Sequence, residues 1–307
     1  MRLTNLDALR GLLAIFVMIF HYDTYYMPSF EHNFFVREAG NFVTFFFILS
    51  GFIVSNNYPQ IDMKKFLQRR FLRLFPLLLY SSTIFLLFMC AGIFLFKDML
   101  SFDYKLLDIF KSYFDGVFFT NSTPLFRQNV IINPPSWSVS AEMISYIFFV
   151  FFIRFKTKIP NQFYHIIIAV VILLMLLKNN FFSTPFAGFL IGILSFNTGM
   201  IINEIYLKKK KLKAKPIMVL LYVALIPFYF FITFIFFNDF FYKKIIDLLV
   251  YQFLFGFLVL IFAFSNLKIL NNKFFQFLGK ISYSIYLNHA IVLIIIPKVI
   301  FNIIVVR

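Results

Sequence analysis

Apolar residues along this 307-residue chain neither alternate with polar ones at the period of a strand nor form a single stripe of a surface helix; they come in long runs. Nine runs stand out, at about 8–27, 40–57, 74–96, 138–153, 163–177, 184–203, 216–237, 246–264 and 281–303. About 20 helical residues cross a bilayer, and a helix satisfies its own backbone hydrogen bonds. The pattern therefore predicts an all-α, polytopic transmembrane bundle of nine to ten spans. One stretch between runs differs. In the loop at 97–138, Leu106, Leu107, Phe110, Tyr113, Phe114, Val117 and Phe118 recur at helical spacing opposite Lys105, Asp108, Lys111 and Asp115. That is the signature of an amphipathic helix on the membrane surface. With no internal repeat and no domain boundary, residues 1–307 read as one transmembrane domain without a fused extracytoplasmic domain.

Composition agrees with lipid as the main solvent. Hydrophobic residues make up 61% and charged residues 14%, against about 25% charged in soluble domains. The 51 Phe read as lipid-facing and packing residues. Cys90, the single cysteine, excludes a disulfide framework and a metal–thiolate cluster, and no metal site is expected. The N-terminus has the outline of a signal peptide, but Arg10 interrupts it and no small-residue cleavage site follows, so it reads as a retained first span.

The formal charge of +16 raises the question of nucleic acid, and the placement of the charges answers it. With the N-terminus in the cytoplasm, the alternate loops gather Lys64 to Arg73, Arg154 to Lys158, Lys208 to Lys215 and Lys268 to Lys280; with Arg2 and Arg10 these are nineteen basic residues. The opposite loops hold nine: Arg37, Lys97, Lys105, Lys111, Arg127, Lys178, Lys243, Lys244 and Arg307. The positive-inside rule thus predicts a multi-pass protein of a bacterial-type cytoplasmic membrane with its N-terminus inside, and the basic loops face anionic lipid rather than nucleic acid.

Against this apolar background a few polar side chains carry candidate chemistry. Arg10 and His21 lie eleven positions apart, close to three helical turns, on one face and about 16 Å apart along the axis. Asp7 shares nearly the same face. Ionisable groups within hydrocarbon are costly and face a bundle interior or an aqueous cavity. Arg70 and Arg73 sit in a basic amphipathic stretch ahead of Pro76, between the second and third apolar runs, and paired guanidinium groups suit phosphate. A juxtamembrane helix resting on anionic lipid has the same composition. Glu142 follows Trp137, the only Trp, at the start of the fourth run and needs a His or Arg partner from another span. Tyr283, Tyr286 and His289 lie on the last run, where an interfacial polar belt would also place them.

Taken in order, these segments resemble the membrane-bound acyltransferase 3 family of O-acyltransferases acting on cell-surface glycans. The similarity rests on Leu6-Asp-Ala-Leu-Arg-Gly11 followed by His21, Phe46-Phe-Ile-Leu-Ser-Gly-Phe52, Arg70-x-x-Arg73 ahead of Pro76, Ser136-Trp-Ser-Val-Ser-Ala-Glu142, and Ile281-Ser-Tyr-Ser-Ile-Tyr-Leu-Asn-His289. Family members resemble ten-span proteins that continue through a further span after the Tyr-Leu-x-His segment, which is missing or very short here, and some carry a fused esterase-like domain that this sequence lacks.

The resemblance implies an acyl-CoA donor, most often acetyl-CoA, as co-substrate with no bound cofactor, and a glycan or lipid-linked sugar hydroxyl as acceptor. It implies that Arg10, Arg70 and Arg73 hold the CoA phosphates, that His21 acts as general base or acyl acceptor, and that Glu142 orients His21. Asp7, Ser50, Trp137, Tyr283, Tyr286 and His289 are the candidate pocket residues. A transporter or flippase would also place polar residues inside the bundle, but it calls for inverted repeats and broken spans, of which the sequence has no convincing pair. A non-catalytic envelope-assembly subunit is the remaining alternative, against which the intact Arg10, His21, Arg70 and Arg73 stand. The acceptor, the acyl group and the oligomeric state are not encoded in any motif.

Overall fold

The computed structural model describes residues 3–26, 36, 38–58, 62–95, 105–126, 132–155, 161–177, 187–209, 213–236, 240–265 and 267–296. Arg2, Arg37, Lys97, Arg127, Lys156, Lys158, Lys178, Lys210, Lys211, Lys298, Arg307 and the end of the last apolar run lie outside the described residues. The described residues are almost wholly helical, without strands. The helices are α1 (Thr4–Tyr26), α2 (Phe42–Asn57), α3 (Met63–Leu95), α4 (Leu106–Val117), α5 (Ser136–Phe155), α6 (Asn161–Leu177), α7 (Gly188–Lys208), α8 (Pro216–Phe236), α9 (Phe240–Phe264) and α10 (Lys273–Ala290). Short 3-10 turns precede α2 and α10, and a π turn at Ile291–Ile295 follows α10. Among the described residues seven helices are long and apolar enough to cross a membrane, and two shorter apolar ones, at Asn161–Leu177 and Pro216–Tyr229, complete the nine expected runs.

Exposure separates a central helix from peripheral ones. α2 is buried nearly all round, from Phe42 through Val54, as a helix apolar on every side must be to sit at the centre. α6 and α8 each bury one stripe, His165, Ile172 and Leu176 on the first and Val219, Tyr222 and Ile226 on the second. Their remaining apolar residues, such as Ile166, Leu174, Leu220 and Phe228, are exposed, as lipid-facing side chains are.

Lipid supplies no hydrophobic drive between helices, so close backbone packing has to hold them together. Two seams do so. Gly11 and Gly279 press α1 and α10 together: a Cβ on Gly11 would lie 2.6 Å from the backbone carbon of Leu278, and one on Gly279 would overlap the Asp7 carbonyl. Gly51 and Gly199 bring α2 and α7 together, each against the other helix's backbone at Phe196 and Ile48.

The structure corrects two expectations. α3 runs without interruption from Met63 through Pro76, so Arg69, Arg70 and Arg73 belong to its first turns and not to a segment between spans. A proline forfeits one intrahelical bond, which packed transmembrane neighbours tolerate, and Phe66, Arg70, Leu74 and Leu78 form an unbroken buried stripe through that point. The surface helix exists as α4, and one charge on it is placed differently from the expectation. Ile109, Ser112, Asp115, Gly116 and Val117 face the bundle, while Leu107, Phe110, Phe114 and Phe118 point outward. Asp115 therefore leaves the solvent face, and its carboxylate accepts from the Thr120 hydroxyl.

One end of the bundle is basic. There Asn5 of α1 donates to the Ser265 carbonyl (2.8 Å), and the Ala214 amide donates to Phe264 (3.2 Å). Lys64, Lys208 and Lys273 sit in the terminal turns of α3, α7 and α10, Lys213 lies just ahead of α8, and Lys268 opens the 3-10 turn before α10.

Candidate functional site

Five helices converge on a cavity of about 80 Å³. α1 contributes Arg10, α2 Phe46 and Ser50, α3 Arg70 and Arg73, α5 Ser138 and Glu142, and α10 Ser282, Tyr283 and Tyr286. Arginines separated by sixty residues in sequence thus line one space.

Each cation is held differently. Arg10 is braced by α10: its Nε donates to Ser282 Oγ (2.9 Å) and Nη2 to the Gly279 carbonyl (2.8 Å), with Asp7 Oδ1 at 3.4 Å from Nη2. Asp7 thereby partners Arg10 and does not itself line the cavity. Arg70 is 7% exposed, and its guanidinium carbon lies 5.1–5.2 Å from the ring centres of Tyr58, Phe66 and Tyr146. Its Nε is buried without a hydrogen-bond partner. Neither Arg70 nor Arg73 forms an ion pair among the described residues. A guanidinium desolvated in this way is stabilised by an anion and disfavoured without one.

Glu142 is fixed from two sides. Its Oε1 accepts from Ser50 Oγ (2.9 Å) and from the Tyr146 hydroxyl one turn along α5, and the two hydroxyls are 2.9 Å apart. Three guanidinium groups therefore face one carboxylate across the cavity. Tyr283 donates to the Leu74 carbonyl (2.8 Å), tying α10 to α3 next to the arginines, and the Tyr286 and Ser138 hydroxyls are 2.8 Å apart.

His21 stands apart from this cavity, on the part of α1 remote from Arg10. Its ring stacks on that of His289, centroids 4.9 Å apart and planes at 19°, and Phe20 meets it edge-on. His289 Nδ1 lies 2.5 Å from the Tyr286 carbonyl oxygen, so the residue that lines the cavity through its side chain also holds the imidazole through its backbone.

The structure does not bring Glu142 to His21: the carboxylate is engaged by Ser50 and Tyr146 on the arginine side, and the imidazole faces His289. Trp137 packs on Phe47 and against Gly188, outside the cavity. Sequence reasoning passed over Tyr146, Ser138 and Ser282. Tyr146 is four residues from Glu142, the one spacing that would have pointed to it. Also unforeseen is a buried clasp between α6 and α7, where His165 Nδ1 and Asn197 Oδ1 are 2.6 Å apart and Glu204 Oε1 lies 3.5 Å from His165 Nε2.

A family model described as an acyltransferase domain matches residues 3–306. No curated protein and no solved structure matches the chain.

Proposed function

The chain belongs to the acyltransferase 3 family over essentially its whole length and is a multi-pass membrane acyltransferase; from that premise we propose that it moves an acyl group, acetyl by preference, from cytoplasmic acyl-CoA to a glycan hydroxyl on the far side of the membrane. The observation that carries the donor assignment is Arg70. A planar cation sandwiched by three aromatic rings, with an unpaired buried Nε and Arg73 one turn away, is suited to phosphate oxygens. The lysine-rich end is the cytoplasmic one by the positive-inside rule, and acyl-CoA is made there.

His21 supplies the acceptor side of the reaction. The acceptor O–H gives its proton to an imidazole nitrogen while the oxygen bonds to the thioester carbonyl carbon. The C–S bond then breaks, and the CoA sulfur leaves with the proton returned by the imidazolium. Ester and free CoA are the products. In the stepwise variant the imidazole attacks first, expels the thiolate and passes the acyl group on to the hydroxyl. The roughly 16 Å between Arg10 and His21 matches the reach of an extended pantetheine arm. Ser50 and Tyr146 keep Glu142 in place as the counter-charge of the arginine cavity.

The test is purified protein in proteoliposomes, supplied with acetyl-CoA labelled in the acetyl group and with total envelope glycan as acceptor. Wild type forms labelled ester and His21→Ala does not. Equal ester from both removes His21 from the chemistry. No ester from either, with passage of glycan across the vesicle wall, supports the flippase alternative.

A further inference from the structure

His289 is 3% exposed on α10, with Nδ1 at 2.5 Å from the Tyr286 carbonyl. A carbonyl only accepts, so Nδ1 carries the hydrogen, and in the neutral imidazole Nε2 then carries the lone pair. The plane of this ring is thereby set by its own helix. His21 lies flat against it, 4.9 Å between centroids. The helix pair behind the stack is stiff: Gly11 and Gly279 bring the two backbones into contact, and Arg10 is bonded to Gly279 and Ser282. Two anchor points along α1 and α10 thus fix the register in which the imidazoles meet. The carboxylate expected behind His21, Glu142, is occupied with Ser50 and Tyr146.

We propose that His289 is the positioning residue of the reaction centre: its neutral ring, held by the Tyr286 carbonyl, fixes the plane of the His21 imidazole and stabilises that imidazole while it carries the acceptor's proton. The inference rests on the acyl-transfer role of His21. His21 is cationic only between accepting the hydroxyl proton and returning it to the CoA sulfur, and a cation over the face of a neutral aromatic ring is stabilised at that moment. A ring that cannot rotate also keeps the accepting nitrogen aimed at the reacting oxygen, where a displacement of about 1 Å costs on the order of 100-fold in rate.

Two replacements separate the ring from its nitrogens. His289→Phe keeps a flat ring, and His289→Leu removes it. The full-length protein in detergent micelles is labelled with 13C,15N-histidine, of which the chain has 4, and the His21 signal is assigned by its loss in His21→Gln. The expected result is a ring-current displacement of the His21 Cε1–Hε1 signal that persists in His289→Phe and disappears in His289→Leu. In the acetyl-CoA assay above, His289→Leu lowers kcat by about 10- to 100-fold with KM for acetyl-CoA unchanged. His289→Phe keeps the ring face but cannot donate to the Tyr286 carbonyl, so it recovers part of that loss and stays faster than His289→Leu. Size-exclusion profiles identical to wild type show that the variants are folded. A His21 signal indifferent to loss of the ring, wild-type kcat in His289→Leu, or His289→Phe as slow as His289→Leu would each overturn the proposal. The spectroscopic arm needs no acyl donor, so it decides the stack even if the wild type forms no ester, the result that removes the acyl-transfer reading itself.

Discussion

At Arg70 a guanidinium is seated among the rings of Tyr58, Phe66 and Tyr146, so its shape matters as much as its charge. A lysine ammonium has neither the plane to stack nor the forked donors to grip a phosphate. Arg70→Lys is therefore expected to raise KM for acetyl-CoA at least about tenfold while leaving acceptor choice intact, and Arg73→Lys, on the exposed side of the cavity, to raise it less. An unchanged KM in Arg70→Lys, read from initial rates, would remove the phosphate assignment. A second expectation concerns Tyr146, whose hydroxyl meets both Glu142 and Ser50 in a buried position. Tyr146→Phe leaves a half-buried carboxylate with one donor fewer, which costs about 1 kcal/mol and lowers the thermal midpoint in detergent. Arg10 and Glu142 were legible in the sequence because a charge in an apolar helix is too costly to be incidental, and Arg70 and Arg73 because paired guanidinium groups suit phosphate. Their partners on other helices were not. Ser50 lies 92 positions from Glu142 and His289 far beyond His21, and such pairings depend on which helices become neighbours, which no local pattern encodes.

Helices were legible where the apolar run carries no charge, as in α2 and α7, and less so where a charged side chain is buried. The sequence reading starts the third span after Arg73 because charges ordinarily lie outside lipid, whereas in α3 Arg70 continues the buried stripe of Phe66, Leu74 and Leu78. α4 forms with its recognised apolar residues outward, as a helix against lipid does, while its small and polar face, with Asp115, packs inward. Asp115 is the charge that leaves the solvent face. Burial raises its carboxyl above the ordinary aspartate range, and the Thr120 hydroxyl offsets part of the effect. An acid with a raised folded pKa costs the fold stability above that pKa, and the cost vanishes below the unfolded value of about 4. Asp115→Asn is thus expected to raise the thermal midpoint at pH 7 and to make no difference at pH 3. A fall at pH 7 would mean that the charge itself is needed. The glycine seams make a further expectation at this scale. Gly51→Ala would drive a methyl into the Phe196 backbone on α7, where no flexible side chain can yield, and should cost about 1–3 kcal/mol.

Across the whole molecule the polar groups are distributed by depth. Arg10, Arg70 and Arg73 surround a cavity toward the lysine-rich end, and the His21–His289 pair lies beyond it along the same two helices, with Tyr286 joining the levels by its side chain and its carbonyl. A soluble acyltransferase can bring donor and acceptor in from the same side. Here the glycine seam between α1 and α10 holds the arginine and imidazole levels at a fixed separation, and on the proposed reaction donor and acceptor would approach from opposite ends. The activity is accordingly expected to be sided. Cys90 is the only cysteine, so Lys213→Cys or Lys111→Cys in a Cys90→Ser background reports orientation in vesicles through an impermeant thiol reagent. In vesicles where the Lys213→Cys variant is labelled from outside, external acetyl-CoA should drive ester formation on glycan trapped in the lumen. In vesicles where the Lys111→Cys variant is labelled from outside, it should drive none until acetyl-CoA is loaded inside. Equal rates from either side would mean that donor and acceptor share one entrance, and the two levels of the α1–α10 pair would then need a different explanation from a path across the membrane.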